Sequence, residues 1–427
     1  MSDNDEEPLF PKLVRYGRGK PGVTAESDGW WVIRDARGRV VGGAMVASIG
    51  ADHPVAIDVA VDPKRQQQGL GTALYKALAA AGVDVEAGSR ASLAHRTMTP
   101  LGYLFLADPP DIRLPIPDFR TVQQDAAPRP GPNLLETVYA RLRRQDWMRE
   151  HLVEQGQPPL DFVGSASPDD PAPRVAERMR KVLGLGDAWA RQHATWTGAL
   201  AALIDLAEQV GVFVVTNGVV GNDTHRKLDP EEFRGFVLAD DYAPLVFLNT
   251  VDGKVAQMFT FAHELAHVWF AQSAAFDLRD MQPARAPIEQ ACNRVAAEFL
   301  VPEAEMRAAW LTVRGQDGPF DELARRFKVS ALVVARRALD LQLIDRDGFF
   351  AFYAEYRDDA RRQAASRPSG GNFWATQEGR IGRRFGGAVV RATQEGRLLY
   401  RDAYVLTDLR GETFARYVAR LEATDTR

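Results

Sequence analysis

Along the first hundred residues, short apolar runs alternate with turn-forming clusters. Gly29–Arg34, Val40–Ile49 and Val55–Val61 are rich in Val, Ile and Trp and read as strands. A turn follows Val61, and the spacing of Leu74 and Leu78 then predicts a helix over 71–80. Residues 84–87 read as another short strand and 91–99 as another helix, a succession of α/β character. Beyond residue 134 the pattern becomes helical over Leu134–Gln155, Pro173–Leu183 and Trp189–Val210, with Asp187 placed to cap the last. Strands are predicted at Val212–Thr216, Gly235–Ala239 and Leu245–Asn249, and helices at about 254–272 and 287–301. From Glu303 onward only short helices are expected. Asp321–Ile344 reads as a pair that turns at Lys328-Val329-Ser330, with Ser330 as N-cap.

Between the two halves, residues 109–132 hold seven prolines (109, 110, 115, 117, 128, 130 and 132). Proline fixes φ and removes a backbone donor, so this stretch is expected to be an extended linker. The domains expected are therefore 1–107, a linker at 108–133, a core at 134–302, a helix-turn-helix-like region at 303–345 and a helical region at 346–427. A short repeat, Ala375-Thr-Gln-Glu-Gly-Arg380 and Ala392-Thr-Gln-Glu-Gly-Arg397, is too isolated to make a solenoid and reads as coincidence on two helix surfaces.

Composition narrows the setting. Hydrophobic residues at 45% and charged residues at 26% are the ordinary globular mixture, which excludes collagen-like and wholly disordered chains. A net charge of −4 gives no global basic field for nucleic acid. The single cysteine excludes an internal disulfide and points to a reducing compartment. The start, MSDNDEEPLFPK, is acidic where a secretory signal is basic, and no run is long enough to span a membrane. A cytoplasmic location is expected, with no membrane partner.

The chemistry concentrates in Phe261-Ala-His263-Glu264-Leu-Ala-His267, an HExxH pattern in a helical run. His263 and His267 lie one turn apart on one face, where two neutral imidazoles can bind one zinc ion. Glu264 is rotated about 100° from His263, so it can stand beside the metal without ligating it and accept a proton from water there. A third ligand must come from Asp277, Asp280, Glu289, Cys292, Glu298 or Glu303. Glu289 stands out because it opens the helix that runs to Pro302. Asn293, one turn on, can accept the free N–H of a ligating histidine. Asp277 and Asp280 read as solvated loop. Cys292 is a good zinc ligand by chemistry, but among Ala291, Val295 and Ala296 it reads as a small core residue. Arg294 and His225 are polar enough to stabilise an oxyanion, although each reads as structural or surface.

HELAH followed by Glu289-x-x-Cys292-Asn293 and the Ala296-Ala-Glu-Phe-Leu-Val-Pro302 tail resembles the ImmA/IrrE family of bacterial metallopeptidases. Cys292 stands where the family usually has alanine. Trp147-Met-Arg-Glu150, Phe233-Arg-Gly-Phe-Val-Leu-Ala-Asp240 and Leu323-Ala-Arg-Arg-Phe-Lys-Val-Ser330 extend the likeness over roughly 134–427. The resemblance implies a zincin-like α+β fold and zinc-dependent endopeptidase activity. It assigns zinc ligation to His263, His267 and Glu289 and water activation to Glu264. It also implies a protein substrate, a helix-turn-helix (XRE-type) repressor or antitoxin, in a stress, mobile-element or toxin–antitoxin setting.

In the first half, Val59-Ala-Val61-Asp-Pro63-Lys-Arg-Gln66-Gln-Gln-Gly69-Leu-Gly71-Thr72 joins a strand to a helix, where free backbone N–H groups can face a pyrophosphate. This pattern and the later Pro100-Leu-Gly-Tyr103 resemble the acetyl-coenzyme A loop and closing element of GNAT acetyltransferases, over about 12–105. The resemblance implies acetyl-coenzyme A or coenzyme A binding by Val61, Gln66, Gly69, Gly71 and Thr72. Met98 stands where the family often has a general-acid tyrosine, which puts transfer itself in doubt, and Asp58 reads as an outward strand residue. The fold class expected is a multidomain α/β plus mainly α chain: a GNAT-like domain, a Pro-rich linker, the metallopeptidase domain and a C-terminal helical region. Arg325, Arg326, Lys328, Arg336 and Arg337 make DNA contact conceivable but not favoured. Two rival readings are a non-proteolytic regulator with a metal-stabilised fold and an acetyltransferase with an accessory peptidase-like domain.

Overall fold

A computed structural model describes residues 22–25, 30–34, 40–48 and 54–61 of the N-terminal region, then 130–276, 287–364 and 373–425. The chain forms two compact units, 1–114 with 128–136 and 115–127 with 137–427, so the three regions expected beyond residue 137 share one unit. In the first unit, β1 (Gly22–Ala25), β2 (Trp30–Arg34), β3 (Val40–Ser48) and β4 (Pro54–Val61) form an antiparallel meander in that order. Strand β1 lies outside the sequence expectation. The helices expected at 71–80 and 91–99 and the strand at 84–87 fall outside the described residues.

The second unit is built on a four-stranded sheet. β5 (Phe213–Asn217) pairs in parallel with β9 (Leu245–Asn249), which pairs antiparallel with β8 (Gly235–Leu238), and β10 (Ala274–Phe276) closes the edge beside β8. The parallel pairing of β5 with β9 requires a long crossover between them. A small hairpin, β6 (Val219–Val220) with β7 (Asp223–Lys227), occupies part of it. Neither this hairpin nor β10 is legible in the apolar pattern: β7 reads Asp-Thr-His-Arg-Lys and carries no buried residue.

Alternation along the strands divides the sheet's two faces. Val214, Val237, Val246 and Leu248 belong to the main core, with Leu200 and Leu203 of α3 (Trp196–Gln209) and Met258, Phe261 and Leu265 of α4 (Lys254–Trp269). Phe236 and Phe247, one position out of phase, stack with centroids 4.8 Å apart. The Arg141 guanidinium of α1 (Pro132–Glu154) lies 5.6 Å from the Phe247 ring. Both faces are covered, which is why β8 and β9 are buried at every position and carry no polar alternation. Helix α2 (Ala172–Val182) packs on α5 (Pro287–Leu300), and α5 in turn on α4.

Two helix starts correct the sequence reading. Asp187 caps nothing: Ala188, in the left-handed region at φ 52°, precedes a short 3-10 turn at Trp189–Gln192. The true α3 starts at Trp196, with the Thr195 hydroxyl accepting from Gly198 N at 3.0 Å. A hydroxyl cap on a first-turn amide outcompetes an acid placed eight residues earlier.

From Glu303 the described residues are helical: α6 (Glu303–Val313), α7 (Pro319–Phe327), α8 (Ala331–Asp340), α9 (Arg346–Ala364), α10 (Phe373–Ile381), α11 (Arg383–Gln394), α12 (Tyr400–Thr407) and α13 (Gly411–Asp425). Lys328 ends α7 in the left-handed region, and Ser330 caps α8 by accepting from Val333 N at 3.1 Å. The two Ala-Thr-Gln-Glu-Gly-Arg copies are not equivalent. The first lies wholly within α10, whereas the second runs off the end of α11.

The last helices are fastened to the sheet, to α1 and to α3 by polar contacts. Arg380 donates to Asn217 Oδ1 at 3.0 Å, and Arg144 pairs with Asp408 at 3.0 Å. Glu208, near the end of α3, accepts from Arg384 N at 3.4 Å. Gly382 (φ 83°) joins α10 to α11 where an added Cβ would meet Val214 O at 2.9 Å and this carboxylate at 3.2 Å. Burial raises the Glu208 pKa to about 7, with Asp205 adding to it against the opposing backbone hydrogen bonds.

Two tests follow from these contacts. A carboxyl whose folded pKa lies above its unfolded value holds its proton more tightly when folded, so its charge weakens the fold as pH rises from about 4.5 to about 7. Glu208→Gln is therefore expected to gain stability over the parent as pH rises through that window, by up to about 3 kcal/mol at pH 8. Urea unfolding at pH 5 and pH 8 measures it, and an equal difference at both values contradicts the assignment. Second, a Cβ on Gly235 of β8 would lie 2.8 Å from Phe247 O, 2.8 Å from Thr260 Cγ2 and 3.1 Å from Glu264 Oε1. Gly235→Ala is expected to cost about 1–3 kcal/mol, because the motif helix must lift from the sheet. A thermal midpoint equal to the parent's refutes that close approach.

Candidate metal centre

Two crossing helices build the site. Helix α4 is buried on almost every side, from Gln257 to Trp269, because the sheet lies under it and α3 and α5 beside it. That explains the density of apolar residues around its polar motif. Helix α5 is amphipathic: Ile288, Glu289, Ala291, Cys292, Val295, Ala296 and Phe299 form the inward stripe, and Arg294 is exposed. Glu289 stands in its first turn, where the helix dipole favours a negative charge.

The structure brings three of the sequence-selected side chains together. His263 Nε2 lies 3.0 Å from Glu289 Oε2, His267 Nε2 lies 3.0 Å from Glu289 Oε1, and the two Nε2 atoms are 3.2 Å apart. Both imidazoles are fully buried, and the Glu289 side chain is 9% exposed. On the far side of His263, Nδ1 donates to Asn293 Oδ1 at 3.0 Å. An amide oxygen can only accept, so Nδ1 carries the proton and a neutral His263 presents a bare lone pair at Nε2. That lone pair faces a carboxylate oxygen. Two acceptors at 3.0 Å repel unless positive charge lies between them, which a divalent cation supplies. Donors around one zinc ion at its usual bond lengths stand about 3.3 Å apart, close to the separations here. The residues present fit such an ion.

Electrostatics favour the ligating forms. Burial keeps His267 neutral by lowering its pKa, against the pull of Glu289. Burial alone would push the Glu289 carboxyl up, but imidazoles of His263 and His267 that carry a proton toward it outweigh burial and hold the group well below the usual carboxylate range, so the positive charge between these atoms is a proton or a cation.

Glu264 is the anomaly. It is fully buried, and among the described residues neither carboxylate oxygen has a hydrogen-bond partner. Burial, then the charge of Glu289, push its pKa well above the ordinary value. An unpartnered buried carboxyl costs several kcal/mol, so it is retained only where something else uses it. Gly235, not foreseen as part of the site, makes room for it. Its only signal in the sequence is a glycine at the start of an otherwise apolar strand.

Of the other ligands considered, Glu298 and Glu303 are engaged elsewhere. Glu298 pairs with Arg337 and accepts from Glu303 N, and Glu303 pairs with Arg307 at 2.7 Å. Asp277 and Asp280 fall outside the described residues. His225 is exposed on β7, and Arg294 is exposed on α5. Cys292 is fully buried, and its sulfur lies within 4.8 Å of donor atoms of His263 and His267. Burial pushes its thiol pKa up, and the charges of Glu289 and Glu264 push it further.

The basic cluster on α7 and α8 is largely occupied. Arg325 pairs with Glu322 at 2.8 Å and Arg336 with Asp340 at 3.0 Å. Arg337 is buried against Val301 O and Glu298, and Lys328 is buried with Nζ on Arg325 O and over Trp196. Of the coenzyme residues, Val61 ends β4, while Gln66, Gly69, Gly71 and Thr72 lie outside the described residues, as do Met98 and Tyr103. No helix among the described residues is long and apolar enough to cross a membrane.

Comparison with known families places these features. No curated protein matches the chain. Residues 381–420, covering α11 and α12, match a domain of unknown function. The IrrE N-terminal-like match covers 207–339, from the end of α3 to α8, and so is narrower than the 134–427 span of the sequence resemblance. The GNAT match, at residues 4–99, takes in the four strands described in the first unit. The chain thus carries an IrrE-like peptidase domain at 207–339, with His263 and His267 in its buried metal-binding group, and an N-terminal GNAT acetyltransferase-family domain at 4–99.

Proposed function

We propose that this protein is a zinc-dependent endopeptidase that cuts a helix-turn-helix repressor or antitoxin in a stress or mobile-element response. The GNAT domain serves as a sensor that binds acetyl-coenzyme A or coenzyme A. The observation that carries the peptidase reading is the fully buried Glu264 carboxylate, unpartnered beside the His263–His267–Glu289 convergence. A site that only stabilised the fold has no use for such a group, since it costs stability without coordinating anything.

His263, His267 and Glu289 would hold the zinc, which would supply Lewis acidity for polarising a peptide carbonyl and acidifying water. The protein's own residues do the rest. Asn293 fixes the His263 ring and its tautomer, so that Nε2 is the ligating atom. Glu289 brings the negative charge that balances the cation. Glu264 takes the proton from the attacking water at its carboxylate and returns it to the leaving amine. Burial of both imidazoles keeps bulk water from competing.

Glu264→Gln is expected to keep one zinc per chain while cleavage falls by about 10²-fold or more. The assay incubates the parent and the variant with a helix-turn-helix repressor encoded beside this gene and reads fragments by intact-mass spectrometry. Undiminished cleavage by the variant refutes the role of Glu264. A parent that leaves that repressor whole while cutting other proteins refutes the substrate class.

Zinc retention should also depend on acidity in one direction. Protonated imidazoles cannot ligate, and His267 holds its proton less tightly than an ordinary histidine near 6.5. Half-release is therefore expected below about pH 6.5, with full reloading on return to neutral pH. Atomic emission after dialysis measures it, and release that begins above pH 7 contradicts the ligand set.

A further inference from the structure

We propose that Cys292 is the fourth protein ligand of the cation held by His263, His267 and Glu289, so that the resting centre is closed and hydrolysis requires the sulfur to leave. The proposal rests on the metal reading above and adds a ligand that the family pattern lacks.

Three observations support it. Cys292 Sγ and the donor atoms of His263 and His267 all lie within 4.8 Å of one another. Cys292 follows Glu289 by three positions on α5, so both project from the inward stripe toward the same pair of imidazoles. Cys292, His263 and His267 are each fully buried, so the sulfur and the two imidazoles lie in the same solvent-excluded interior.

Sulfur joins the cation by giving its proton to solvent, and the thiolate then takes the position that water needs. Two histidines, a carboxylate and a thiolate make a complete tetrahedral set, the arrangement of zinc sites that hold structure without performing catalysis. All of these donors are buried, in keeping with a centre shut to solvent at rest.

Cobalt reports both halves of this statement separately. The full chain, freed of metal and loaded with Co²⁺, should show visible d–d bands from the site and a near-ultraviolet band from thiolate-to-cobalt charge transfer. Cys292→Ala should lose the ultraviolet band and keep visible bands, weakened as water enters the fourth position. Cys292→Ser, which replaces sulfur with a hard oxygen of similar size, should lose it as well. Visible bands without an ultraviolet band in the parent, or an ultraviolet band that survives in both variants, overturn the role of Cys292 and leave the three-ligand site standing. Absence of visible bands in the parent overturns the metal site itself.

Discussion

A lone pair facing a carboxylate across 3.0 Å is the constraint around which this domain is arranged. His263 cannot turn away, because Asn293 holds its other nitrogen. Glu289 cannot withdraw either, since it stands in the first turn of a helix packed along α4. The repulsion is therefore built into the crossing of two helices and is relieved only by a positive charge placed between them. Much of what surrounds the crossing is buried apolar packing, and that rigidity keeps the donors converged.

The sheet beneath contributes through the absence of a side chain. Gly235 lets α4 settle until the Glu264 carboxylate lies against the β8 backbone. An ordinary strand residue would hold the helix off and take Glu264 out of the chamber. On the sheet's other face, Phe236 and Phe247 stack beside Arg141, so the strands are fixed from both sides. The placement of Glu264 thus depends on a glycine in a strand, and that strand on packing the site never touches.

The site was more legible in the sequence than the fold around it, for physical reasons. HExxH is local: helical periodicity alone puts His263 and His267 on one face, and the Glu289–Asn293 spacing does the same on α5. Strands β5, β8 and β9 were legible because burial on both faces makes them continuous apolar runs. The β6–β7 hairpin was not, because exposed polar strands carry no such signal. Asp187 failed as a cap because a short 3-10 turn intervenes before the real helix start, and only the Thr195 hydroxyl reaches a first-turn amide. The basic pattern on α7 and α8 suggested a phosphate-binding face. A charge count cannot reveal that Arg337 and Lys328 point inward or that Arg325 and Arg336 already have acids one turn away.

The same electrostatics bind the parts of the centre to one another. Glu264 and Glu289 are two buried carboxyls, and the charge of Glu289 disfavours ionisation of Glu264. The imidazoles hold Glu289 toward the ionised form, while burial pushes Glu264 toward the protonated one. On the proposed reading, a divalent charge among the donors would act on both carboxylates together, so the feature that would make Glu289 a ligand would also make Glu264 a usable base. Binding and proton transfer are then not separate properties of the motif. The carboxyl with no partner of its own is armed by whatever occupies its neighbours, and it is the part of the site that distinguishes chemistry from architecture.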